Sequence, residues 1–171
     1  VTGVQTCALP IYWWGCAGAP GASGCDTVSG TVTSSPYLTL KASAAQSPIT
    51  LPASSTNVSA SILVDSSGSS VPFGLLGALT GLTVTWTASG SGIMAPGSAS
   101  LITGQASTTL FVSQPGSVTV TAMLDQARVT VPVLVYAPPA ISGTALTGVV
   151  GVPQSSVVTT SGYPKPSLSL T

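Results

Sequence analysis

The residues of this chain that could do chemistry are few. Cys16 and Cys25 stand nine positions apart in a Gly/Ala-rich stretch. In an oxidising compartment they could close a small disulfide loop, worth somewhat under ~3 kcal/mol by loop entropy. Two other readings stay open: a weak lipobox, Ala22-Ser-Gly-Cys25, with Cys25 lipidated, or two free thiols in a linker. The carboxylates are Asp26, Asp65 and Asp125, and the cations are Lys41, Arg128 and Lys165, with neither Glu nor His in the chain. Acid/base and nucleophilic catalysis need paired or activated groups that this inventory cannot assemble, so the chain reads as no enzyme. Asp65 and Asp125 fall in turns, where capping of backbone amides accounts for them. A calcium ion would want several carboxylates together. No Gly-rich phosphate loop lies between a strand and a helix, and no cofactor is expected. Asn57-Val-Ser59 fits a glycosylation sequon, a triplet that chance supplies in a Ser-rich chain.

Two apolar clusters are candidates for binding. Trp13 and Trp14 head the Gly/Ala-rich stretch, either as the remnant of a lost core or as a ligand platform. Between 69 and 81 the chain is longer and more apolar than a hairpin needs, with Phe73, Leu75, Leu76 and Leu79. They are expected to fold as a flap over the end of the domain; the sharper alternative is an exposed contact patch. Exposure of these side chains together, or their burial, discriminates the two.

The elements that must position these residues read as strands. Leu82-Thr-Val-Thr-Trp-Thr-Ala-Ser89 alternates strictly, with Leu82, Val84, Trp86 and Ala88 on one face and hydroxyls on the other. That period marks a half-buried strand, and Trp86 is the expected core anchor. Short strands at 37–41 and 49–51 are confined to an edge by Pro36, Pro48 and Pro52. Further strands are predicted at 57–65, 99–103, 107–112, 117–124 and 128–135, with Val58, Ala60, Ile62 and Val64 inward in the first of these. Asp65-Ser-Ser-Gly68 and Asp125-Gln126 make turns, and Pro132 points outward. Turn signals every 8–12 residues over about 100 residues predict an all-β, Ig-like antiparallel sandwich. Ala137-Pro-Pro-Ala140 reads as a stiff linker before an incomplete second β module at 141–171. Residues 12–35 read as a linker or the stub of a preceding domain.

Composition agrees with this class. Apolar residues make up 44% of the chain and charged ones 4%, with zero net charge. A neutral chain has no field to attract nucleic acid or anionic lipid. No run approaches the ~18 apolar residues of a membrane-spanning helix. The first eleven residues, Val1-Thr-Gly-Val-Gln-Thr-Cys-Ala-Leu-Pro-Ile11, match the in-frame translation of a common sequencing-library adapter, which removes Cys7 from the cysteine count.

Three motifs carry a family resemblance: Asp65-Ser-Ser-Gly68-x-x-Val71-Pro72, residues 82–89, and Gly116-Ser-Val-Thr-Val-Thr-Ala122. Together they resemble bacterial Ig-like domains of the invasin/intimin type over about 36–136. The insertion at 69–81 departs from that pattern. Ile141-Ser-Gly143, Val149-Val-Gly-Val-Pro153 and especially Gly162-Tyr-Pro-Lys-Pro-Ser167 resemble the opening strands of the putative Ig domain of He-PIG type. The resemblance implies a spacer or stalk module of a large secreted or cell-surface bacterial protein, located outside the cell, with neighbouring Ig-like modules as partners. The alternatives are an adhesive module gripping carbohydrate or a host protein, and an accessory domain of a secreted hydrolase.

Overall fold

The computed structural model describes residues 12–30, 33–143 and 147–169; the adapter-like residues 1–11, Cys7 included, lie outside them. Ten strands are described in chain order: β1 Leu38–Ala44, β2 Ile49–Thr50, β3 Ser55–Asp65, β4 Thr83–Ala88, β5 Gly92–Ala95, β6 Ser98–Ser100, β7 Gln105–Val112, β8 Gly116–Leu124, β9 Ala127–Gly143 and β10 Val158–Tyr163. They form an Ig-like antiparallel sandwich. One sheet has the order β1-β3-β7-β5, the other β10-β9-β8-β4-β6, and β2 lies parallel to β9.

Alternation builds both inner faces. Val84 and Trp86 from β4 meet Val118, Val120, Ala122 and Leu124 from β8, all buried. Val58, Ala60 and Ile62 from β3 close the core from the opposite sheet. Here the alternation slips: Leu63, not Val64, packs against the core, next to a register irregularity between β1 and β3. Trp86 is 4% exposed at the centre of this cluster.

Two strands change sheets at the open sides of the sandwich. The chain leaves β1, passes Pro48 and pairs through β2 with β9. It leaves β5 on the edge beside β7, passes Pro96-Gly97 and pairs through β6 with β4. Proline suits such corners because it removes a donor where the ladder is interrupted. The short strand β5 was not expected from the sequence.

The chain enters and leaves at opposite poles. The first pole holds the start of β1, the turn after β3, the 69–81 segment and the β8–β9 turn. From that turn β9 runs the full length of the sheet and continues beyond it. The expected linker at 137–140 is therefore strand: β9 extends through Pro138-Pro139 to Gly143 and pairs there with β10. Proline can extend a strand because its fixed φ is compatible with extended backbone; what it lacks is only the N–H.

Candidate functional site

At the first pole, residues 12–26 form a cap. Tyr12 makes a parallel bridge to Tyr37, and the Leu38 amide donates to the Tyr12 carbonyl at 2.8 Å. The Gln126 amide donates to the Gly15 carbonyl at 2.8 Å. The Trp13 indole Nε1–H donates to Asp125 Oδ2 at 2.6 Å, a contact between residues 112 apart in sequence. Asp125 holds φ +50°, a left-handed value that Asp tolerates better than most residues, and so turns the chain from β8 to β9. Trp14 is 8% exposed and stacks on Tyr12 with ring centroids 5.1 Å apart. Cys16 and Cys25 are joined as a disulfide, with Cα atoms 5.0 Å apart. The crosslink closes the loop whose ends hold Trp14 and Asp26 together, where the Asp26 amide donates to the Trp14 carbonyl at 2.9 Å.

These contacts correct two expectations. Residues 12–26, which read in the sequence as part of a linker or the stub of a preceding domain, are docked on the sandwich. Trp13 and Trp14 form no ligand platform, since one is buried and the other packs on the core with its N–H engaged. Sequence reasoning missed Asp125 as the anchor because nothing local connects it to Trp13.

The 69–81 segment winds into two 3-10 turns, Phe73–Leu75 and Gly77–Leu79. It divides the four candidate contact residues. Leu76 is 3% exposed and belongs to the core, and Leu79 packs partly against it. Phe73 and Leu75 are 60% and 54% exposed. The segment covers the core with Leu76 and Leu79 alone, and the candidate contact patch shrinks to Phe73 and Leu75. Gly104 makes the seat for Leu76: its φ is +81°, and a Cβ there would lie 2.5 Å from Leu76 Cδ1 and 2.7 Å from Leu63 Cδ2. Beside the flap the β6–β7 turn exposes Ile102. A shallow groove next to this turn is lined by Ser59, Ser100, Ile102, Thr103, Gln105 and Ser107 and contains no titratable group.

The turn after β3 uses its aspartate as the sequence suggests. Asp65 Oδ1 accepts from the Ser67 hydroxyl at 2.6 Å and from the Ser67 and Ser69 amides at 2.9 Å each. Gly68 closes the turn at φ +87°. The Ser67 hydroxyl foremost, then the backbone amides, hold the Asp65 carboxyl below its ordinary value of 3.8, against an opposing effect of burial. Among the described residues no three His, Cys, Asp or Glu side chains gather as a metal site. No helix there is long and apolar enough to cross a membrane.

At the second pole β9 and β10 form a two-stranded ladder. Val158 pairs with Gly143, Thr159 with Ser142, Thr160 with Ile141 and Ser161 with Ala140. Alternation puts Ile141, Val158 and Thr160 on one face and Ala140, Ser142, Thr159 and Ser161 on the other. The Ser142 and Thr159 hydroxyls are 2.7 Å apart. Ile141 and Val158 are both exposed.

No family model and no curated protein matches the chain. Among solved structures it is similar to the C-terminal 282-residue fragment of intimin, solved in complex with the intimin-binding domain of the translocated intimin receptor. That match has a TM-score of 0.49 and 16% identity, covering 73% of this chain and 46% of the other. It is also similar to the D00–D0 domain of intimin, with a TM-score of 0.44 and 18% identity over 65% of this chain and 52% of that one. A glycosyl hydrolase family 2 member from Bacteroides cellulosilyticus gives a TM-score of 0.47 and 12% identity over 65% of this chain. The chain spans 46% and 52% of the two intimin chains and 15% of the hydrolase.

Proposed function

We propose that this chain is a structural spacer module of a bacterial secreted or cell-surface protein, with its sandwich at about 36–136, a cap at 12–26 and the opening of a further Ig-like module at 141–171. One observation carries the reading. The chain enters at one pole through the cap and β1 and leaves at the other, and β2, which follows β1, lies parallel to the departing β9. Ile49 pairs with Val135 and Thr50 with Tyr136, and the Leu51 amide donates to the Tyr136 carbonyl at 2.9 Å. Tension between the poles loads these hydrogen bonds in shear, so they must break together rather than one at a time. The invasin/intimin-like motifs and the poverty of titratable groups support the same reading. So does the amphipathic β9–β10 ladder, whose apolar face is what the first strands of another sandwich would present.

Phe73 and Leu75 favour a second reading, an adhesive contact through the flap. The two separate in a binding experiment. The chain is immobilised and exposed to a glycan array and a panel of host extracellular proteins, beside the Phe73→Ser/Leu75→Ser variant. The spacer reading expects no saturable binding by either protein. Saturable binding that the variant loses would replace it with the adhesive reading.

A further inference from the structure

We infer that Gly162 and the Pro138-Pro139 pair form a packed joint that fixes the direction in which the chain leaves the sandwich. The observation is a mismatch in the β9–β10 register. Ser161 lies opposite Ala140 and Tyr163 opposite Ala137, so Gly162 alone faces the two prolines. This is the two-against-one count of a β-bulge. It sits where β9 has no amide hydrogens to give, because both bulged positions are proline. The single residue opposite must come close to the prolines' backbone. Gly162 has φ +137°, and a Cβ on it would lie 3.0 Å from Pro139 Cα and 3.2 Å from the Pro138 carbonyl oxygen. Those neighbours are backbone, which cannot swing aside as a side chain would. A side chain there would be strained by the positive φ and would push this backbone aside by a few tenths of an ångström, so glycine suits the position and the Gly162-Tyr-Pro164 sequence gains a physical role as the counterpart of the prolines.

The joint matters because a two-stranded ladder is marginal by itself. Here one of its strands is already ordered as the continuation of a sheet strand, so closing the ladder orders only β10. Proline at 138 and 139 narrows the backbone freedom of β9 where it leaves the sandwich. Gly162 then packs on that stiffened segment, and Tyr163 pairs back to Ala137 at the edge of the body. The following segment is held in line with β9 rather than swinging on a hinge.

The purpose of the joint rests on the spacer reading, but its existence does not. A ligand-binding module can have a stiff joint, and a spacer can have a loose one, so the binding panel and the test below fail independently. The test is amide hydrogen exchange on the full chain, comparing the parent with Gly162→Val and with Pro138→Ala/Pro139→Ala. In the parent, amides at 140–143 and 158–161 are expected to be protected. In Gly162→Val that protection should fall by ~10-fold or more, as expected of a side chain forced into packed backbone, while β8 and the first half of β9 keep theirs. Nitroxide labels at Thr119→Cys and Thr160→Cys should give a narrow distance distribution in the parent and a broadened one in Gly162→Val. The double alanine variant, which restores two amide hydrogens and backbone freedom, should broaden it less. Parent amides exchanging at unstructured rates would overturn the joint. So would a Gly162→Val chain with parental protection and parental distance width.

Discussion

Replacing Cys16 and Cys25 together by serine removes the crosslink that closes the cap while leaving both side chains nearly isosteric. The loop has a sequence separation of 9. Loop-closure entropy for that length gives about 2.6 kcal/mol at room temperature. The full amount reaches the sandwich only if the cap folds in the same step as the body. Its contacts predict that it does: Trp14 is buried, Trp13 is bonded to Asp125, and Gly15 is bonded to Gln126 in the β8–β9 turn. For a chain of this size a loss of that order corresponds to a Tm lower by roughly 5–10 °C. The assay is thermal unfolding followed by calorimetry and by tryptophan emission, with the parent also measured under a thiol reductant. Reduced parent and double-serine variant should melt together, in a single transition, below the oxidised parent. A variant melting within ~2 °C of the oxidised parent would refute the reasoning and make the cap a bystander, because ~2 °C lies well below the predicted shift.

Substitutions at Trp86, in the flap and at Asp65 probe the core and its turns. Trp86→Ala should cost ~3–5 kcal/mol as a large-to-small core change. Trp86→Phe should cost less than half of that, because the Trp86 indole N–H is buried without a hydrogen-bond partner among the described residues and its removal offsets lost packing. Chemical denaturation measures both. Leu76→Ala should cost ~2–5 kcal/mol, whereas serine at Phe73 or Leu75 should stay within ~0.5 kcal/mol; equal effects at all three would contradict the division of the flap. Asp65 has a lowered carboxyl pKa in the fold, so its contribution is full above the ordinary 3.8 and is lost as pH falls below it toward the folded value. Asp65→Asn should therefore lower Tm at neutral pH and show a shallower loss below about pH 4 than the parent.

Much of the sandwich was legible because its strands carry their own instructions. Residues 82–89 alternate without a break and residues 117–124 nearly so, with Met123 on the outer face, and both put the expected side chains into the core. The split first strand was readable from Pro48 and Pro52, and the β3 turn from Asp65 and Gly68. The less legible parts depend on distant partners. Residues 12–26 have no periodicity, and their order comes from a crosslink and from a turn more than 100 residues away. Pro138-Pro139 reads locally as a linker; it lies in a strand whose partner β10, twenty-odd residues later, sets the single residue Gly162 opposite the two prolines. Leu76 and Phe73 are indistinguishable by hydropathy, and only the cleft over Gly104 selects the one that is buried. The four-residue β5 was hidden by its glycine, and its pairing partner β7 lies across a corner.

The parallel arrangement of β2 and β9 is the centre of the proposed function, and stretching single molecules of the chain between its two ends tests it most directly. Shear of the parallel β2–β9 pairs predicts one cooperative rupture of the sandwich, releasing a contour of roughly 350 Å for about 100 residues. Destabilising that pair alone, with Ile49→Ala, should lower the rupture force more than Leu40→Ala in β1 does at matched loss of stability. Gradual extension without a distinct rupture, or equal forces for the two variants, would contradict the account.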